Sequence, residues 1–293
     1  MQVETLKVYS DLIDTASFSL AAKRNGITQS AVSQQIRALE TKFDVVLIER
    51  GKKNFSMTPE GKVFLDASKE ILELYNGIQD RFHELQNKVA GSLRIATVFS
   101  LGLHELPPFV KEFRTLYPDV DLSIDYIRSS QVYSEVIEGN ADLGIVAYPN
   151  KRKGVTIEEF AHDKMVLICP PDHPLAKRKT AKLEDLADQK FVSFEPDLPT
   201  RKALDRALKG AGVAVKREME FDNIETVKRA VEIENGISIV PSRSVEMEVK
   251  NGRLVAVDIR SEEMKRPLGL VQKRTRATSP AMREFIALLK DRS

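Results

Sequence analysis

Cysteine is scarce in this chain of 293 residues, and its scarcity excludes two kinds of site. The only cysteine, Cys169, lies in an apolar run, so neither a disulfide nor a cysteine-based zinc site can form within one chain. This setting predicts a buried strand thiol rather than a redox sensor. The four histidines, at positions 83, 104, 162 and 173, lack metal-ligand spacing, so we expect no metal site and no cofactor.

Long apolar runs and a strong charge of one sign are also missing. No stretch approaches the roughly 18 apolar residues of a membrane span, and no secretory signal is visible, so we expect a cytoplasmic protein with no membrane partner. The formal net charge is only +2, so nucleic acid could be bound only by a local basic patch. No nucleophile with a neighbouring base is visible, which argues against an enzyme with catalytic residues.

The most informative stretch that is present runs from Phe18 to Arg37. Its pattern predicts a short helix, a tight turn at Gly26, where a glycine can take a positive φ, and a second helix. Ile27, Val32 and Ile36 give the second helix an apolar side for packing. Its other side can hydrogen-bond base edges in a major groove. We interpret four of its residues as base contacts: Gln29, Ser30, Ser33 and Gln34.

The flanking segments extend this pair of helices. Apolar residues between Leu6 and Ile13 recur at helical spacing and predict a first helix that covers the pair. Residues 49–57 predict two short strands joined by a basic glycine turn, which completes a winged helix-turn-helix. Two short helices around a glycine also occur in ordinary bundles, and the basic turn favours DNA. We expect four cations to contact DNA phosphates: Arg37, Arg50, Lys52 and Lys53.

A long helix is predicted next. Thr58 supplies a capping hydroxyl, Pro59 suits the first turn, and no further proline occurs before Pro107. Apolar residues follow in a heptad pattern with one stutter, which predicts a helix from Thr58 to Ala90. A DNA reader needs two recognition helices about one helical turn apart, so we interpret this helix as dimerising. The alternative is an amphipathic helix that lies on its own domain.

From Ser92 onwards, strands alternate with helices, which is typical of parallel α/β sheets. Two sheets fit into this half, with the chain crossing between them near Met165 and returning near Pro267. Ligands of such sheets bind beyond the carboxyl ends of strands, where helix N-termini point inward. Hydroxyl-bearing segments follow three predicted strands, at 99–101, 128–131 and 195–201. They predict a site for a small polar or anionic ligand.

Residues 1–60 resemble the DNA-binding domain of LysR-type transcriptional regulators. The resemblance is carried by SFSLAAKRNGITQSAVSQQIRALE and LIERGKKNFSMTPEGKVFL. In that family the corresponding stretches follow the sequence pattern S/T-Q-x-A-V-S-x-Q-I-x-x-L-E, then L-x-x-R, then L-T-x-x-G. Ser30 stands where the family often has proline, and Gln34 where it often has arginine, which bears on operator preference. The whole chain also has the length and layout of that family.

The resemblance implies an α/β protein of three parts, with a two-lobed effector domain that is similar to periplasmic solute-binding proteins. The expected parts are a winged helix-turn-helix at 1–58, a linker and dimerisation helix at 59–91, and the effector domain at 92–293. Lobe I is expected at 92–165 and 267–293, and lobe II at 166–266. The resemblance also implies effector contacts between the lobes, at Ser100, Leu101, Ser129, Thr200 and Arg201. Ala147 stands where some members carry an arginine for a dicarboxylate, and Arg128 or Arg201 could substitute for it.

The implied function is a sequence-specific transcription regulator that is switched by a small polar or anionic effector. Its expected partners are operator or promoter DNA, the effector, RNA polymerase and further copies of the chain, as a homodimer and then a homotetramer. A different class remains open: a small-molecule binding module with a helical interaction domain and no DNA role. That alternative predicts no salt-dependent association with duplex DNA.

Overall fold

The computed structural model describes residues 2–50, 55–86, 88–233, 236–275 and 278–291, with only the backbone of Arg50. The chain separates into two compact units, Met1–Lys88 and Val89–Ser293. The first unit is mainly helical and the second is α/β. No helix in the described ranges is both long and apolar enough to cross a membrane.

Helices and strands alternate in parts of the second unit, but no α-helix separates the strands between residues 143 and 194, all of which the structure describes. The helices are α1 (Val3–Thr15), α2 (Phe18–Asn25), α3 (Gln29–Phe43), α4 (Pro59–Leu85), α5 (Phe99–His104), α6 (Pro107–Leu116), α7 (Ser129–Ile137), α8 (Pro199–Gly210), α9 (Ile224–Glu232), α10 (Glu246–Lys250) and α11 (Pro280–Asp291). The strands are β1 (Ile48–Arg50), β2 (Phe55–Met57), β3 (Gly91–Thr97), β4 (Val120–Tyr126), β5 (Leu143–Ala147), β6 (Val155–Cys169), β7 (Thr180–Ala181), β8 (Lys190–Phe194), β9 (Lys216–Phe221), β10 (Ser238–Pro241), β11 (Val255–Ile259) and β12 (Lys265–Lys273).

The first unit contains the predicted helix-turn-helix. Gly26 ends α2 with a φ of +64°, so the predicted positive φ at the turn is confirmed. The hydroxyl of Thr28 then accepts from the backbone N–H of Ala31 and caps α3. β1 and β2 pair antiparallel, with Arg50 opposite Phe55, so the two predicted strands of the wing are present. The turn between them lies outside the described residues.

Helix α4 begins where the sequence predicts. The hydroxyl of Thr58 accepts from the N–H of Gly61 at 2.9 Å and donates to the carbonyl of Val46 at 2.6 Å. The helix ends at Leu85, however, rather than at Ala90 as predicted. The last apolar residues of the pattern belong to the second unit, where Ala90 is buried and Val89 packs on the core. Their spacing therefore continued the heptad pattern without continuing the helix.

The second unit is built on a mixed sheet with the strand order β4-β3-β5-β12-β6-β11-β7, and β10 also pairs with β6. β8 and β9 form a separate parallel pair. The parallel prediction is confirmed for β3, β4 and β5 and is wrong for β6 and β12, which lie antiparallel to each other. The reason is topological, because β6 carries the chain out of one lobe and β12 brings it back beside β6. Lys164 lies opposite Lys265 at this crossing.

Two sets of apolar cores fill the second unit. The cores of lobe I contain residues between Val89 and Ala161 and between Leu268 and Leu289. The core of lobe II lies between Met165 and Met264 and includes Cys169. The buried thiol predicted at Cys169 is confirmed, since its side chain is fully buried and burial raises its pKa to about 11.

Candidate functional sites: a polar helix face and an interlobe cavity

Helix α3 has one buried and one polar face. Val32 and Ile36 are completely buried on the side that packs within the first unit. All four residues predicted to contact bases lie on the other side, at positions i, i+1, i+4 and i+5 of the helix. Gln29, Ser30 and Gln34 are exposed and Ser33 is half-buried. The hydroxyl of Ser30 lies 2.9 Å from that of Thr28, which fixes it beside the helix start.

The predicted phosphate contacts are only partly described. Arg37 is exposed and lies one turn beyond Ser33 on the same face of α3. Arg50 belongs to β1, but its side chain is outside the described structure, and Lys52 and Lys53 are outside the described residues. The face therefore offers amide and hydroxyl groups followed by a cation, which are the groups that read base edges and hold a phosphate.

The second half of α4 exposes much of the predicted apolar seam. Leu74 is 74% exposed and Phe82 is 58% exposed, although Leu65 nearer the start is buried within the first unit. Ile71, Ile78 and Leu85 are exposed as well. Apolar side chains that recur along one helix at this spacing are typical of a surface that another helix covers.

A cavity of about 310 Å³ lies between the two lobes of the second unit. The first residues of α7, α8 and α9 line it, so three helix N-termini face the same space. Of the five predicted effector contacts, the structure brings Ser100, Ser129 and Thr200 to this cavity. Its walls are otherwise largely apolar, formed by Val98, Phe99, Leu103, Ile127, Ala147, Phe194, Leu198, Pro199, Ile224 and Pro241.

The structure does not bring Leu101 and Arg201 to the cavity. The side chain of Leu101 is completely buried in the core of lobe I. Arg201 holds lobe II together, because its guanidinium donates to Asp205 at 2.8 Å and to Glu220 at 2.7 Å. The side chain of Leu101 enters the core behind β3, whereas Arg201 stays at the carboxyl end of β8, where it donates to the carbonyl of Phe194 at 2.6 Å, but it does not line the cavity.

Arg266 is the cavity residue that sequence reasoning missed. It is 3% exposed, donates to the hydroxyl of Ser100 at 2.6 Å and lies 3.4 Å from Asp163. Its Nε is buried and has no hydrogen-bond partner. Burial lowers the pKa of the Arg266 guanidinium and the charge of Asp163 opposes this effect. In the sequence, nothing distinguishes this arginine from the other cations that begin or end strands.

Three sets of ionic contacts join the lobes around the cavity. Arg128 of lobe I lies 3.0 Å from Glu195, 3.6 Å from Asp197 and 3.2 Å from Asp222 of lobe II. Hydrogen bonding to Asp222, followed by the charge of Glu195, raises the pKa of Arg128. His104 lies 2.7 Å from Glu225, and Arg243 lies 3.2 Å from Glu105. These contacts couple the arrangement of the lobes to the charges in the cleft.

Glu105 is the most perturbed carboxyl group of this region. Burial, and then the charge of Asp163, raises its pKa to about 7, although Arg243 and Arg266 act in the opposite direction. Its Oε1 is buried without a partner, which agrees with a carboxyl group that holds a proton easily. Across the described ranges, no cluster of three or more His, Cys, Asp or Glu residues is arranged to hold a metal ion.

A helix with a polar reading face and a separate two-lobed domain around a cavity define the class of ligand-responsive DNA-binding proteins. Two family models match the chain: "Bacterial regulatory helix-turn-helix protein, lysR family" over residues 3–62 and "LysR substrate binding domain" over residues 86–293. The chain belongs to the LysR family of transcriptional regulators.

Relatives and solved structures agree with this assignment. The HTH-type transcriptional regulator MJ0300 of Methanocaldococcus jannaschii is 34% identical over 275 residues, which are 92% of each chain. The fold is similar to full-length CbnR in complex with its target DNA, with a TM-score of 0.70, 21% identity and 100% of each chain covered. It is also similar to the regulatory domain of Synechocystis CcmR in complex with 2-PG, with a TM-score of 0.63, 24% identity and 69% and 96% covered.

The chain is therefore a DNA-binding transcription regulator with an effector-binding domain. Its relatives are regulators too, and they give no support to a binding module without a DNA role. The resemblance seen in the sequence and the expected fold class are confirmed, from the winged helix-turn-helix to the α/β effector domain.

Proposed function

We propose that each of the three parts expected from the sequence has its own role in regulation. Residues 1–58 read operator DNA, 59–91 join two copies, and 92–293 sense the effector. In this scheme Gln29, Ser30, Ser33 and Gln34 contact bases, and Arg37, Arg50, Lys52 and Lys53 contact phosphates. The chain carries out no catalysis, and it acts in the cytoplasm, where the DNA is.

The polar face of α3 is the observation that supports the DNA contacts. Its amide and hydroxyl groups lie opposite the buried residues Val32 and Ile36, so they are free to enter a major groove. Fluorescence anisotropy tests this with DNA from upstream of the protein's own gene and with a scrambled duplex, across a salt series. We expect preference for the upstream DNA by a factor of about a thousand and a steep loss of affinity with salt.

Two variants separate base contacts from phosphate contacts. Gln29→Ala removes a base contact, so it lowers affinity for the upstream DNA by about 1–3 kcal/mol and leaves the scrambled duplex nearly unaffected. Arg37→Ala, and likewise Lys52→Ala, weakens both duplexes alike, because a phosphate contact is independent of sequence. Equal losses on both duplexes for Gln29→Ala would exclude its base-reading role.

We propose a small anion with an apolar body as the effector, held by Ser100, Ser129 and Thr200 with Arg266 beneath them. The buried guanidinium and three helix N-termini favour a negative charge, and the remaining walls favour apolar groups. CcmR in complex with 2-PG provides one anionic precedent for this domain. Isobutyrate and isobutyramide form a matched pair of probes, because they differ in charge and hardly in shape.

The probes are tested by thermal unfolding of the full chain. Isobutyrate raises the melting temperature and isobutyramide does not, since only the carboxylate can pair with Arg266. Ser100→Ala and Thr200→Val reduce the shift, whereas Ser123→Ala, at an exposed position of β4 that lines neither this cavity nor a neighbouring one, leaves it unchanged. A shift of the same size with isobutyramide would argue for a neutral effector.

We also propose that α4 pairs with α4 of a second copy and that two such dimers form a tetramer. The exposed apolar residues of α4 support the pairing. RNA polymerase is a further proposed partner, because a regulator bound at a promoter lies beside it. Sedimentation of the full chain with promoter DNA and RNA polymerase tests both proposals, and a monomer on DNA would refute the first.

A further inference from the structure

A second and larger cavity, of about 760 Å³, lies beside the effector cavity in the same cleft. Four cationic side chains and two carboxylates line it. From this basic chamber we infer a separate binding site for a phosphate-bearing small molecule. This inference goes beyond the proposed effector site and does not depend on it.

Both carboxylates of the chamber already form ion pairs with arginines. Asp205 lies 2.8 Å from Arg201 and 2.6 Å from Arg217, neither of which lines the chamber. Asp197 is paired with Arg128 at 3.6 Å. Among the described residues, no carboxylate forms an ion pair with the three remaining cations: Arg152, Lys202 and Arg206. These three therefore leave a surplus of positive charge in a concave space.

Two of these cations are held in place by their neighbours. The guanidinium of Arg152 stacks over the ring of Tyr133 at 4.6 Å, and the hydroxyl of Tyr133 accepts from the N–H of Asn150 at 2.9 Å. The Nε of Arg206 donates to the carbonyl of Lys202 at 3.2 Å. A cation with a fixed orientation loses less entropy when it binds an anion than a freely rotating one.

Opposite sides of the cleft supply the charges. Arg152 belongs to lobe I, whereas Lys202 and Arg206 belong to lobe II. The first turns of α7 and α8 also border the chamber, at Ser129 and Pro199, and their dipoles favour the same sign of charge. Three cations and two helix N-termini match a phosphate or diphosphate, which carries more than one negative charge and several acceptor oxygens.

The chamber adjoins the effector cavity, and the two spaces share the lining residues Arg128, Ser129, Leu198 and Pro199. Arg128 lines both spaces, and its partners Glu195, Asp197 and Asp222 lie around it. Asp222 lines the effector cavity and Asp197 lines the chamber, so an anion that extended from one space into the other would lie near both carboxylates. The geometry therefore favours two ligands over one long effector, and a phosphate in the chamber would draw the two lobes together.

Isothermal titration of the full chain with pyrophosphate tests the site, at constant ionic strength. We expect saturable binding that weakens about tenfold in Arg152→Gln and about tenfold in the double variant Lys202→Gln with Arg206→Gln. When Arg206 is changed to Lys instead of Gln in this double variant, the charge is retained and part of the affinity for pyrophosphate returns. Lys209→Gln is the matched control, because this lysine is exposed on the same helix and does not line the chamber.

The outcomes also separate this site from the effector cavity. Ser100→Ala leaves pyrophosphate binding unchanged, and isobutyrate does not compete with pyrophosphate. Equal binding of sulfate and pyrophosphate at matched ionic strength would show an unspecific ion site and overturn the proposal. So would equal weakening by Lys209→Gln, or no saturation at about 10 mM pyrophosphate.

Discussion

The hydroxyl of Ser100 accepts a 2.6 Å hydrogen bond from the guanidinium of Arg266, although 166 positions separate the two residues. Ser100 is the second residue of helix α5, just after the first strand of the effector domain, and Arg266 lies on the strand that returns from lobe II. The contact therefore joins the effector cavity to the crossing between the lobes.

Ser100→Ala is expected to destabilise the chain by about 1–3 kcal/mol, because it leaves a buried guanidinium N–H without an acceptor. The measurement is the urea midpoint of unfolding followed by circular dichroism. Ser130→Ala, at an exposed serine of α7, is expected to have no measurable effect. Similar midpoints for both variants would mean that solvent or another group satisfies Arg266.

The raised pKa of Glu105 predicts a pH dependence of stability. The folded chain holds this proton up to about pH 7, whereas the unfolded chain releases it near 4.5. The folded state thus binds more protons between these values, and the free energy of unfolding falls as pH rises through this window, by at most about 3 kcal/mol. Above pH 7 this contribution is constant.

Glu105→Gln removes that dependence, since the amide does not titrate. Unfolding in urea at pH 5 and pH 8 measures the difference between the two conditions. The exposed Glu218 provides the control, because Glu218→Gln is expected to keep the full pH dependence. If both variants follow the parent chain, Glu105 ionises in the folded protein as it does in water.

Gly61 is predicted to tolerate no side chain. A Cβ at this position would collide with the carbonyl of Leu47 and lie 2.7 Å from the hydroxyl of Tyr9. Gly61→Ala should therefore destabilise the first unit by about 1–3 kcal/mol. Gly77→Ala on the same helix meets nothing within 4 Å and should stabilise it by about 0.5–1 kcal/mol. Thermal unfolding distinguishes the two signs.

Leu74→Glu is expected to disrupt the proposed pairing of α4. A charge in the centre of an apolar helix seam is desolvated when the helices pair, so dimers dissociate at concentrations where the parent chain remains paired. Light scattering after gel filtration gives the mass. Leu116→Glu is the control, since Leu116 is 55% exposed on α6. A dimer that survives Leu74→Glu and dissociates with Leu116→Glu would assign the interface elsewhere.

Local chemistry determined how much of this structure could be predicted. Gly26, the Thr28 cap and the apolar side of α3 act within a few residues, so the helix-turn-helix is evident from the sequence. The sequence predicts only residues 166–169 of β6 as a strand, because charged residues such as Glu158 and Glu159 interrupt the alternation in its first part. Its pairing with β12 stabilises it, and that partner lies about a hundred positions further along the chain.

In the effector cavity, too, residues that depend on local sequence were predicted and residues that depend on distant contacts were not. Ser129 and Thr200 lie in the first turns of helices that follow predicted strands, so a rule about sheet topology places them correctly. Leu101 and Arg201 obey the same rule but point elsewhere, because side-chain direction depends on neighbours that only the fold supplies. Arg266 reaches the cavity from the last strand, which no local pattern could indicate.

The adjacent crossings at β6 and β12 make lobe II an insertion within lobe I. The inserted residues leave and return at neighbouring points of one sheet, where Lys164 lies opposite Lys265. On the ribosome, lobe I lacks strand β12, which lies between β5 and β6, and its last helix, α11, until the whole of lobe II has been synthesised. The nascent chain therefore completes lobe II before lobe I. Lobe I then finishes folding beside a lobe II that is already folded.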